Sequence, residues 1–286
     1  MIRGRAWAAA LAVVTTAAGL ALAPEPRATA LARDQAAAAA AAPCGYTAVT
    51  LNISDSTAPD GTRTVLVQRP AGTDSPSIPV VYLLHGYPGG VSDFVRAGVV
   101  AALEKAACAA GRPVVLAEPD GTDGQLDTEW ADDVDGRADL ESFLTGPVLA
   151  AVEGSARRSR SHRSIAGFSM GGFGAASLGL RHPDLFQRII AFAGYYHLDD
   201  PDHVFGNTRA TYRKHAPDVI AAPAHQGFFL VDGADDPLPL TAKETPRFAK
   251  VLHARRIPVV AHIVPGGHDI AILAAQARAI VAYITR

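Results

Sequence analysis

The chain reads as an α/β protein, a single domain built on a mostly parallel central sheet with helices on both faces. Three observations predict this. From residue 46 onward, short β-branched runs alternate with helical stretches, and that alternation makes parallel sheets joined by crossover helices. The central runs, such as Val80-Val81-Tyr82-Leu83-Leu84, are continuously apolar, the pattern of strands covered on both faces. A length of 286 residues, 49% hydrophobic and 19% charged, suits one large core rather than two small ones.

Residues 1–32 read as a secretory signal peptide. Arg3 and Arg5 precede an uninterrupted apolar stretch over 6–22, and small-residue sequence compatible with cleavage follows. Ala21-Leu22-Ala23 and Ala28-Thr29-Ala30 are both candidate cleavage sites, Pro24 disfavouring the first. An uncleaved anchor is the competing reading, because the stretch is near the short end of a spanning length. Residues 33–43 contain the alanine run 36–42 and read as a low-complexity linker. The folded domain is 44–286. This organisation predicts an extracellular or cell-wall protein with no stable membrane insertion after cleavage. Export makes a disulfide between Cys44 and Cys108 available, tying the start of the domain to an early helix. Two unpaired, partly buried thiols are the alternative.

Within the domain, strands are expected over 48–53, 64–69, 79–84, 113–117, 164–168, 188–192, 227–231 and 258–264. Helices are expected over 93–110, 140–155, 170–181, 241–255 and from 270 to the end. No helix separates the first two strands, so that end of the sheet is expected to be antiparallel. Residues 195–226 are the least regular part, read either as a pocket-shaping insertion or as a surface excursion. The net charge of -2 gives no electrostatic reason to expect a nucleic-acid partner. Arg157, Arg158 and Arg160 read as a solvated helix end.

Gly167-Phe168-Ser169-Met170-Gly171 carries the strongest chemical signal. A G-x-S-x-G pattern is weak alone, but here a strand precedes it and a helix rich in small residues follows. Ser169 therefore falls on a tight strand-to-helix turn, where side chains at Gly167 or Gly171 would collide with neighbouring elements. An ordinary serine N-cap is the competing reading. A serine hydroxyl needs a base beside it. His268, after the last strand and Pro265-Gly266-Gly267, is the candidate; His85 reads as a structural loop histidine. The base needs an acid. Asp232, Asp235 and Asp236 compete in the turn after strand 227–231, with Asp236 favoured by its place before Pro237 and Asp235 next. Oxyanion donors are expected from the backbone N–H groups of Met170 and Tyr87, the latter in the loop His85-Gly86-Tyr87-Pro88-Gly89-Gly90.

These stretches, with Tyr82-Leu83-Leu84-His85-Gly86, Arg181-His182-Pro183-Asp184-Leu185-Phe186 and Gly266-Gly267-His268-Asp269, resemble the esterase D and mycolyltransferase branch of the α/β hydrolases. The resemblance implies a lidless α/β-hydrolase catalytic domain over 44–286. It also implies a Ser169–Asp236–His268 triad and hydrolysis of small-molecule or glycan-linked carboxylic esters. Family members act on feruloyl esters, formyl thioesters and enterobactin-type lactones, or transfer acyl groups to sugars. Trp130, after Thr128-Glu129, resembles the region lining the acceptor pocket of the secreted transferases; a packing aromatic is the alternative. The acid is an aspartate here, where those transferases carry a glutamate. A secreted serine esterase is the leading expectation, with an acyltransferase and a non-catalytic protein on the same scaffold as competitors. No cofactor is implied, and no histidine or carboxylate spacing suits a metal. Asp199, Asp200 and Asp202 fit no calcium loop and read as a solvated acidic turn.

Overall fold

A computed structural model describes residues 44–72, 75–124, 126–222, 225–241 and 243–286. The signal-peptide and linker readings fall on residues 1–43, outside the described residues. Eight strands form one sheet: β1 (Tyr46–Ser54), β2 (Thr62–Pro70), β3 (Val80–Leu84), β4 (Val115–Pro119), β5 (Arg163–Phe168), β6 (Arg188–Phe192), β7 (Gly227–Gly233) and β8 (Val259–Val264). Their spatial order is β1-β2-β4-β3-β5-β6-β7-β8. β2 pairs antiparallel with both β1 and β4, and every other pairing is parallel.

Four long helices cover the sheet: α1 (Val99–Ala110), α2 (Met170–Arg181), α3 (Glu244–Ala254) and α4 (Ile272–Ile284). Because strand side chains alternate faces, each central strand feeds two cores. Val81, Leu83, Leu116, Ala166, Ile190 and Phe229 pack with Leu103, Ala107, Leu273 and Ile280 of α1 and α4. Tyr82, Leu84, Ile165, Ile189, Phe228 and Leu230 pack with Ala176, Leu178, Phe248 and Leu252 of α2 and α3. This double covering explains why β3 and β4 are buried at every position. Edge strand β1 instead alternates between exposed and half-buried residues.

The expected helix over 93–110 is two pieces, Asp93–Arg96 and α1, because Gly98 adopts a left-handed φ of 72° between them. The expected helix over 140–155 passes through a π-helical segment, Leu144–Val148, that contains Pro147. Proline cannot donate a backbone hydrogen bond, and the widened turn accommodates it. Residues 195–226 carry two short helices, Arg209–His215 and Pro217–Ile220. Arg158 is buried rather than solvated, its Nε donating to the Ile78 carbonyl at 2.6 Å. Cys44 and Cys108 are joined in a disulfide with Cα atoms 5.5 Å apart. Among the described residues no helix is long and apolar enough to cross a membrane.

Candidate active site

The site lies where the parallel strands end and the chain turns into loops. Ser169 stands between β5 and α2 with φ 55° and ψ −117°, a conformation that costs an ordinary residue free energy and needs surrounding support. That support is local. The Ser169 N–H donates to the Phe192 carbonyl at 2.9 Å, and its own carbonyl accepts from the Gly172 and Phe173 N–H groups. A Cβ on Gly167 would overlap the Gly171 carbonyl, and one on Gly171 would overlap that of Leu84. The turn closes only because both positions lack side chains.

His268 follows β8 and faces Ser169. Its Nε2 lies 2.9 Å from Ser169 Oγ, and its Nδ1 lies 2.8 Å from Asp236 Oδ2. A neutral imidazole satisfies both contacts with Nδ1–H donating to the carboxylate and the serine hydroxyl donating to Nε2. The Phe168 ring packs 4.8 Å from the imidazole, centre to centre. Asp235 is exposed, whereas the Asp236 side chain is 2% exposed. Asp236 also accepts the Leu238 N–H at 2.9 Å and the Thr241 hydroxyl at 2.7 Å. Burial works against its charge, but His268, Leu238 and Thr241 outweigh it and hold the carboxyl below its ordinary range. The sequence reading missed Thr241, absorbing it into the helix that follows; a threonine five residues after the acid was the available signal.

The Tyr87 and Met170 N–H groups meet no acceptor among the described residues, and both residues line one small cavity with Gly86 and Leu126. The loop that presents Tyr87 is pressed against the serine turn: a Cβ on Gly86 would lie 3.1 Å from the Phe168 carbonyl and from Ser169 Cβ. Hydrogen bonds from Gly89 N–H to the Gly86 carbonyl and from Gly90 N–H to Asp93 Oδ2 brace the loop. His85 is buried, its Nδ1 donating to the Gly86 carbonyl at 3.0 Å and its Nε2 accepting from Gly121 N–H at 2.9 Å. Burial lowers its pKa and keeps the ring neutral.

Trp130 does not line an acceptor pocket. It is fully buried, wedged between Gly121 and Gly174, where an added Cβ would lie 2.6 Å and 2.7 Å from the indole side chain. Its Nε1–H donates to the His85 carbonyl at 3.0 Å. Aromatic bulk with one satisfied donor favours such a buried place, so Trp130 supports the Tyr87 loop from behind. From the insertion, Val204 and Phe205 join Tyr195 in packing on Phe173 of α2. No group of three or more metal-ligating side chains occurs among the described residues.

Comparison with known proteins shows the family of the chain. A model of the family described as "Putative esterase" matches residues 56–275. Esterase Rv1288 of Mycobacterium tuberculosis is 28% identical over 124 residues, which is 43% of this chain and 26% of that protein. The chain thus spans about a quarter of that curated relative's length. Among solved structures, a ferulic acid esterase matches 85% of this chain and 99% of its own, at TM-score 0.71 and 21% identity. An S-formylglutathione hydrolase from Agrobacterium tumefaciens matches 85% and 96%, at TM-score 0.71 and 20% identity. At such identities the likeness is one of fold. The family match covers most of the domain, and the chain belongs to this esterase family of the α/β hydrolases.

Proposed function

We propose that the protein is an exported carboxylic-ester hydrolase that works through an acyl-enzyme on Ser169. One observation carries this reading: His268 has one ring nitrogen against the Ser169 hydroxyl at 2.9 Å and the other against the buried Asp236 carboxylate at 2.8 Å. In this reading His268 removes the serine proton as Oγ attacks the ester carbonyl, and Asp236 fixes the tautomer and stabilises the imidazolium. The Tyr87 and Met170 N–H groups, which meet no acceptor among the described residues, receive the oxyanion; losing one such donor typically costs about 3 kcal/mol of transition-state stabilisation. His268 then protonates the departing alcohol and activates water to release the acid.

The substrate class is a small-molecule or glycan-linked ester. Trp130, buried behind the Tyr87 loop, offers no acceptor surface that would favour acyl transfer to a sugar. The Cys44–Cys108 disulfide supports export, since such bridges persist in oxidising compartments. The test is hydrolysis of a p-nitrophenyl ester series by the mature protein beside Ser169→Ala. Turnover that disappears in the variant supports the reading. Wild-type turnover no higher than the variant's on every ester, in protein shown to be folded, rejects it.

A further inference from the structure

Asp232 lies at the end of β7, four residues before Asp236 and 2% exposed. Its Oδ1 has no hydrogen-bond partner among the described residues, although the Asp236 carboxylate sits within hydrogen-bonding reach of its side chain. The lone pairs of Asp236 already receive His268, Thr241 and the Leu238 N–H. Two carboxylates this close, shielded from water, cannot both be charged, so one keeps a proton and donates it to the other. Asp236 has three donors at hydrogen-bond distance and keeps the charge; Asp232, whose Oδ1 is unpartnered and on which only the Gly233 N–H and the Thr245 hydroxyl act to lower the pKa, keeps the proton.

We propose that Asp232 is a positioning residue whose neutral carboxyl donates a hydrogen bond to the Asp236 carboxylate and holds it, and through it His268, in line with Ser169. The proposal rests on the triad reading above. The surroundings of Asp232 agree with a neutral side chain. The Thr245 hydroxyl on α3 and the Tyr196 hydroxyl after β6 are buried beside it; Thr245 favours the Asp232 charge, but from beyond ordinary hydrogen-bond distance among the described residues, and burial with the Asp236 charge outweighs it. Glu244 and Arg247, the charged groups of α3 nearest Tyr196, are committed to each other, with the Arg247 Nε donating to Glu244 at 2.5 Å. Ile263, the β8 neighbour in register, is apolar. Among the described residues, none of the leading influences on the Asp232 carboxyl is a cation. Burial, then the Asp236 charge, raise its pKa to about 7.

The experiment compares wild type with Asp232→Asn and Asp232→Ala near pH 6, where the carboxyl is protonated. Asparagine supplies an N–H donor of the same shape, so kcat should stay within about threefold of wild type; alanine removes the donor, and kcat should fall about tenfold or more with KM nearly unchanged. Two readouts do not depend on turnover. A pH-difference infrared spectrum should show protonated-carboxyl carbonyl stretches in wild type, and Asp232→Asn should remove one component of that band while those of Glu118 and Asp127, also raised by burial, remain. The downfield Nδ1–H resonance of His268 should persist in Asp232→Asn and broaden or move in Asp232→Ala. An Asp232→Ala enzyme as active as wild type, an Asp232→Asn enzyme as impaired as Asp232→Ala, or an infrared spectrum unchanged by Asp232→Asn overturns the proposal. If Asp232→Ala fails to fold, the Asp232→Asn rate and spectrum decide. If wild type hydrolyses no ester, the triad reading fails separately, and the two spectra still judge Asp232.

Discussion

The Trp130 indole donates a hydrogen bond to the His85 carbonyl at 3.0 Å, and this contact ties the floor of the site to the loop carrying Tyr87. Trp130→Ala removes the largest fully buried side chain of the domain and should cost about 3–5 kcal/mol of stability by chemical denaturation. Trp130→Phe keeps much of the packing but loses the donor. It should destabilise less and lower kcat more than it changes KM, because the loop that presents an oxyanion donor loses its tether. Equal kcat in wild type and Trp130→Phe would separate the loop from the tryptophan.

Gly167 and Gly171 face each other through the serine turn, with no room for a Cβ on either. Gly167→Ala or Gly171→Ala must displace backbone rather than a flexible side chain. Each should lose about 1–3 kcal/mol or more of stability and most ester hydrolysis. Gly61, where a Cβ meets nothing within 4 Å but φ is 70°, is the control: Gly61→Ala should show only modest backbone strain and full activity. Thermal denaturation and p-nitrophenyl acetate turnover read both effects.

The disulfide between Cys44 and Cys108 closes a loop with a sequence separation of 64. The chain-entropy model assigns such a loop roughly 4 kcal/mol. Reduction, or a Cys44→Ala/Cys108→Ala double variant, should lower Tm measurably while leaving the distant Ser169 turn and its kcat near wild type. A Tm unchanged on reduction would show that the cross-link adds nothing to the folded domain.

Glu153 is buried and receives Arg163 Nε at 2.6 Å, the Tyr82 hydroxyl at 3.0 Å and the Arg158 N–H at 2.8 Å. Burial pushes its carboxyl up, but these partners outweigh it and the pKa falls below 4.5. Glu244, with burial opposed by His197, Arg247 and the Tyr196 N–H, is held down at about 2. Both folded pKa values lie below the unfolded ones. Their stabilisation is therefore complete above the ordinary carboxylate pKa and drains away as pH falls from about 4.5 towards 2. Tm measured against pH should drop steeply across that window. Glu244→Gln should flatten part of the drop. Glu153→Gln should destabilise at neutral pH by about 3 kcal/mol, since it leaves the Arg163 charge buried without its partner.

The alternation of apolar runs, the strand-to-helix change around Ser169 and the glycine spacing at 167 and 171 were legible in the chain because each is a property of near neighbours. Periodicity, steric crowding in a turn and the absence of a Cβ depend on a handful of adjacent residues. So the parallel core strands and the antiparallel edge were expected from order alone. The interior of 93–110 and of 140–155 was less legible, since Gly98 and Pro147 each permit more than one local outcome. Asp235 and Asp236 also stayed open on sequence, because adjacent aspartates differ only in which way the folded turn aims them. Assembly settled what neighbours could not. His268 meets Ser169 across 99 residues, Thr241 turns back onto Asp236, and Trp130 goes behind the Tyr87 loop instead of into a pocket. Those relations follow from which surfaces pack together and exclude water, and the burial against which Asp236 keeps its charge exists only once the whole sheet is covered.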